Sequence, residues 1–117
     1  MKPAWMLKID PVHHPVRHMA SVWQSNLEER FGVCCSEFTP KQYGQLKHLM
    51  KHLGERTPSV IDWILDVANW WHFCRRAKVE HKLKFVPDCP EIGFLLQYRG
   101  HAVAMMTAST VKKEFLG

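Results

Sequence analysis

Glycine-rich loops are missing from this 117-residue chain: its six glycines stand singly, mostly where helices would end. That leaves no backbone cradle for the phosphates of a bound nucleotide. The four cysteines, Cys34, Cys35, Cys74 and Cys89, lack the C-x₂₋₄-C spacing of a structural zinc site. His48 and His52 lie four apart but without the intervening glutamate of a zinc protease. No metal and no cofactor is therefore expected. The eleven carboxylates form no distinctive pair, and a dyad of Cys74 with His72 or His81 is the sort of match that four cysteines and eight histidines produce by chance. The chain reads as non-enzymatic. No apolar run approaches the ~20 residues that span a bilayer, and Met1 to Leu7 lacks the apolar core of a secretory signal. Adjacent Cys34 and Cys35 would bridge each other only under strain. The expectation is a cytoplasmic protein with reduced thiols and no membrane contact.

Negative charge is also scarce. Eleven Asp and Glu face sixteen Lys and Arg, giving +5 and a pI near 9.2. Most of that excess is local. From Trp70 to Lys84, three large aromatics, Trp70, Trp71 and Phe73, run into five cations, Arg75, Arg76, Lys78, Lys82 and Lys84, with Glu80 the only carboxylate. Aromatic faces beside clustered cations suit a polyanion whose bases can stack, which points to DNA or RNA. The five cations are candidate phosphate contacts. Trp70 and Phe73 are candidate stacking surfaces, on the ground that two apolar helix faces cannot both hide in so small a protein.

Helix signals recur along the chain. Residues 1–15, with Pro3, Pro11, Pro15 and the pair His13-His14, read as an extended arm, and residues 16–117 as one helical domain. Met19, Val22, Trp23 and Leu27 predict a first helix ending at Gly32. Thr39-Pro40 opens a second with a capping hydroxyl and a proline that has no N–H to lose. Its stripe is Tyr43, Leu46, Leu49, Met50 and Leu53, and Gly54 stops it. Thr57-Pro58 repeats that opening. The third helix is predicted as continuous to about Ala77, with one stripe of Ile61, Ile64, Leu65, Ala68 and Trp71 and another of Val60, Trp63, Val67, Trp70 and Cys74. Residues 80–90 form a basic loop that could equally be a short strand or wing. A fourth helix starts with Pro90 in its first turn and stops at Gly100; a fifth, from Ala102 to about Phe115, carries Met105 and Met106. The expected fold is all-α, a compact bundle of four to five helices.

The polar face of the second helix offers a further site. Lys47 and Lys51 are four apart, as are His48 and His52, and Lys41 lies on the same side. Lys41, Lys47, Lys51 and His48 form a candidate second phosphate-binding row. The short gap from Gly54 to Pro58 suits a helix-turn-helix, but the third helix is too apolar for recognition.

The run Phe38-Thr39-Pro40-Lys41-Gln42, then Gly44-Gln45-Leu46-Lys47, Leu53-Gly54, Val60-Ile61, Trp70 to Phe73, the turn at Pro87 to Pro90, and Gly93-Phe94-Leu95 resembles small helical domains of phage and plasmid replication proteins, of the replisome-organiser or primosome type. The resemblance covers residues 22–100 and implies a helical fold, DNA binding and a helicase or initiator partner. The winged-helix domain that often precedes such modules has no counterpart here. The combined expectation is a small basic nucleic-acid-binding accessory protein of a mobile element, acting in a replication or nucleoprotein complex. The alternative is a protein-interaction module, an inhibitor or subunit that docks on a partner complex without touching nucleic acid.

Overall fold

The computed structural model describes residues 14–32 and 38–116, with side chains to residue 109. Six α-helical segments and one 3₁₀ turn make up the regular structure of these residues, and none of them is in a β-strand. The fold is the expected all-α bundle. Of the predicted arm, residues 1–15, the first thirteen lie outside the described ones, as do Cys34 and Cys35, while His14 and Pro15 already cap and open the first helix.

Helix α1 (Pro15–Phe31) begins with its proline at the first turn and ends at Gly32, whose φ of 67° closes the helix onto the Glu28 carbonyl. Helix α2 (Pro40–Leu53) starts as the sequence predicts. Thr39 Oγ1 accepts from the Gln42 N–H at 3.2 Å, and Gln42 Oε1 accepts from the Thr39 N–H at 2.8 Å. Helix α3 (Thr57–Ile64) follows the 3₁₀ turn Gly54–Arg56. Here Thr57 does not cap: its hydroxyl donates back to the Gly54 carbonyl at 2.7 Å.

The third helix predicted from sequence is in fact two. The chain bends at Leu65 and Asp66, and α4 (Val67–His81) starts afresh. Asp66 adopts an extended backbone and its carboxylate accepts from the Asn69 N–H at 3.0 Å, while the Asn69 amide donates to the Trp63 carbonyl at 2.8 Å. Arg30 of α1 braces the same bend. Its guanidinium donates to the Asp62 and Leu65 carbonyls at 2.8 and 3.0 Å and to the Asp62 carboxylate at 2.7 Å. A cation is well placed at these last carbonyls of α3.

Helix α5 (Ile92–Gln97) begins two residues after Pro90, and α6 (Arg99–Leu116) takes Gly100 into its first turn. The break between them is at Tyr98, not at the glycine. The core joins Trp23, Leu46, Leu49, Val60, Ile61, Ile64, Leu65, Trp70, Phe73, Ile92, Leu95 and Ala102. Helix α2 packs chiefly on α5 and α1, and α4 on α6 and α3. Gly93 lets α5 approach α2 closely, since a Cβ there would meet the Gln45 amide at 2.7 Å.

Candidate nucleic-acid interface

The bend at Leu65 and Asp66 decides which side of α4 meets solvent. With the helix restarted, Trp70, Phe73, Cys74 and Ala77 turn inward. Trp70 is 3% exposed and Phe73 0%. Both are therefore core residues, and the expectation that one of them stacks on a ligand is overturned. The Trp70 indole N–H is consumed by the Pro87 carbonyl at 3.1 Å. Its ring packs against Phe73 and Phe94.

On α4 the exposed tryptophan is Trp71, at 54%. A continuous helix across 58–77 predicts it inside, with Ala68, and both are outside. The Arg75 guanidinium lies over its ring, 5.2 Å from the centroid. Sequence reasoning missed this pairing because it missed the new helix start. Asp66 followed by Asn69 was the available signal, an N-cap carboxylate ahead of a helical run.

The cations predicted along this segment share the outer side of α4. Arg75, Arg76 and Lys78 are all exposed. At ~100° per residue they span about 160° of the helix surface with Arg75 in the middle. None of Arg75, Arg76, Lys78, Lys82 or Lys84 is ion-paired to a described carboxylate. Arg75 and Arg76 line a groove of about 420 Å³ with His72, Val79, Glu80 and Met105, where α4 runs beside α6.

Lys82 and Lys84 follow in the loop after α4, exposed and in no strand, so of the loop and wing alternatives the structure has the loop. Lys82 has φ 52° and ψ 47°, the only positive φ at a non-glycine residue among the described ones. It closes α4, its N–H and that of Leu83 both donating to the Lys78 carbonyl. Glycine adopts that conformation without steric cost, and lysine does not.

On α2, Lys41, Lys47, His48, Lys51 and His52 are all exposed along one face. The His48 and His52 rings meet edge to face at 5.2 Å. Arg99, from the first turn of α6, extends this cluster. It is the largest of the influences that hold the His52 pKa below its usual 6.5, ahead of burial and of His48 and Lys51. Arg99 itself is anchored by donation to the Leu96 carbonyl at 2.8 Å.

That same turn of α6 reaches the end of α4. His81 packs on Tyr98 with ring centroids 4.7 Å apart, and its Nε2 lies 2.9 Å from Nε2 of His101. One ring donates and the other accepts. Tyr98, Arg99 and His101 thus connect the basic end of α4 with the basic face of α2. The two rows singled out from sequence as separate meet through residues that sequence reasoning assigned to no site.

Among the described residues no group of three or more His, Cys, Asp or Glu converges. Nor is any described helix long and apolar enough to cross a membrane. Burial, with a smaller push from Asp88, raises the Cys74 pKa to about 12, so this thiol is no nucleophile at neutral pH. No family model matches the chain, and neither a curated protein nor a solved structure was found to be similar to it.

Proposed function

We propose that the protein is a small nucleic-acid-binding accessory factor that grips phosphates along the outer side of α4 and the face of α2. One observation carries the reading. Arg75 lies over an exposed indole, Arg76, Lys78, Lys82 and Lys84 follow it along α4 and the loop beyond, none ion-paired to a described carboxylate, and the first turn of α6 links them to a second row of cations. Free cations in such a belt release counterions as they dock on phosphates. Lys82 adds support. A non-glycine residue held in the left-handed region points to a side chain with a use. A place in the replication or nucleoprotein machinery of a mobile element, with a protein partner beside the nucleic acid, is part of the proposal and rests on the resemblance described above.

The test is a salt titration against short DNA and RNA. Affinity should fall steeply with salt, by a logarithmic slope of about 0.7–0.9 per phosphate contacted. Replacing Arg75 and Arg76 with Ala should weaken binding and flatten that slope by about 1.5. A flat salt response in the unaltered protein would remove the reading. The exposed apolar side chains Val79 and Phe85, at 71% and 86%, favour the alternative of a protein-docking module. Co-purification with one partner and no binding to nucleic acid at low salt would establish it.

A further inference from the structure

Beside Trp71 lies a cleft of about 260 Å³, enclosed more deeply than the surface around it is. Phe31, Val67, Trp71, Val86 and Pro87 give it mostly apolar walls, and Asp88 stands among them as its one carboxylate. Pockets for drug-sized ligands run from about 300 to 1,000 Å³, so this one suits a single ring system. The Pro87 carbonyl is already taken by the Trp70 indole N–H. Asp88 is exposed and has no hydrogen bond or ion pair to a described residue, so its oxygens are free to accept. Arg75 lies over the Trp71 ring but is not among the walls, so it covers the indole from outside the cleft. From there it faces the groove that it shares with Arg76. A flat ring in the cleft would therefore have the Arg75 guanidinium next to it, across the Trp71 ring.

The chemistry of the free carboxylate selects the ring. An ionised Asp only accepts hydrogen bonds. Guanine offers two adjacent donors, N1–H and N2–H₂, which match both oxygens of one carboxylate. Adenine and cytosine offer a single amino donor beside an unprotonated ring nitrogen. Uracil has one N–H between two carbonyls. Each of these three turns a lone pair toward the carboxylate.

We propose that the cleft beside Trp71 takes one unpaired guanine base, held against the indole, with its N1–H and N2–H₂ donating to Asp88. The inference rests on the nucleic-acid reading above and adds to it. The cations give phosphate-dominated affinity, while the cleft gives single strands a base preference that duplexes, with their guanine edges already paired, cannot satisfy.

The experiment compares a short oligouridine with the same oligomer carrying one central guanine or one central adenine, by fluorescence anisotropy at low salt. The guanine oligomer should bind about tenfold or more tightly than the other two. Asp88→Asn should abolish that advantage, while the charge-matched control Glu55→Gln, at an exposed residue of the 3₁₀ turn, should keep it. Trp71→Ala should weaken the guanine oligomer by about tenfold; circular dichroism checks that each variant is folded. Equal, salt-dependent affinities for the three oligomers would overturn the guanine cleft and leave the phosphate-binding belt standing. A guanine preference that survives Asp88→Asn would also overturn it. Failure of every oligomer to bind would overturn the guanine cleft, and with a flat salt response to short DNA and RNA it would remove both proposals.

Discussion

Arg99 disfavours protonation of His52: its positive charge, more than any other influence, lowers the pKa of that imidazole. The two belong to different helices, α6 and α2, and the relationship ties the start of one to the end of the other.

A pH dependence follows from the direction of this shift. The unfolded chain binds a proton at His52 near pH 6.5, and the folded chain does so only at lower pH. Folding is therefore favoured above 6.5, and this contribution is lost as the pH falls through 6.5 toward the lowered folded value. Arg99→Gln should move the His52 ring resonances to titrate closer to 6.5 in an NMR pH series. Adding a polyanion should raise the His52 pKa in the unaltered protein, because phosphates offset the neighbouring cations. A His52 titration indifferent to polyanion would take the α2 face out of the binding surface.

Lys82→Gly separates stability from binding. Removing the Cβ at a φ of 52° relieves the left-handed position that closes α4, and should stabilise the fold by about 0.5–1 kcal/mol. The same change deletes a cation from the belt and should weaken nucleic-acid binding. Thermal or urea unfolding and the salt titration read the two effects, which have opposite signs. A stabilised variant with undiminished affinity would take Lys82 out of the binding surface.

Asp66→Ala should cost about 1 kcal/mol, since it removes the carboxylate that accepts from the Asn69 N–H. Arg30→Ala should cost about 1–2 kcal/mol, a figure moderated by solvent around the guanidinium. Because both act on the bend between α3 and α4, the double variant should lose a sum that differs from the two single losses. Urea unfolding of the four proteins measures that difference.

Cys74 should resist alkylation by iodoacetamide at pH 8 in the folded protein and react once denatured, given a pKa of about 12 and a buried position. Mass spectrometry after timed quenching distinguishes it from the less buried Cys89. Rapid native labelling of Cys74 would show that α4 lifts from the loop at Pro87.

Much of this architecture could be read directly from residues whose chemistry is local. Thr39, Pro40 and Gln42 announce a helix start because the hydrogen bonds involved span only three residues. Met19, Trp23 and Leu27, or Leu46 and Leu49, announce a buried face because nothing interrupts their period. The stretch from Ile61 to Trp71 misleads for the same reason. Its apolar spacing continues unbroken through a point where Asp66 and Asn69 bond locally instead. That substitution of one local bond set for another carries Ala68 and Trp71 outside. Pro90 and Gly100 each mislead by two residues: the helix starts at Ile92, and the chain turns at Tyr98. The links through Arg99 and His101 had no sequence signal. They arise only when α6 starts beside the ends of α2 and α4.

The bend at Leu65 and Asp66 also sets how this chain can tolerate change in length. Loops usually absorb an inserted or deleted residue with little effect. Here Asp66 must accept from the Asn69 N–H for α4 to restart, so a one-residue deletion would cost α4 either that cap or its register against α3. With the register lost, Trp70 and Phe73 would be pulled from the core, and the outward tryptophan–arginine pair would be swung toward a neighbouring helix. Among homologous chains, spacing between Ile64 and Asn69 should be fixed more strictly than the identity of the side chains within it.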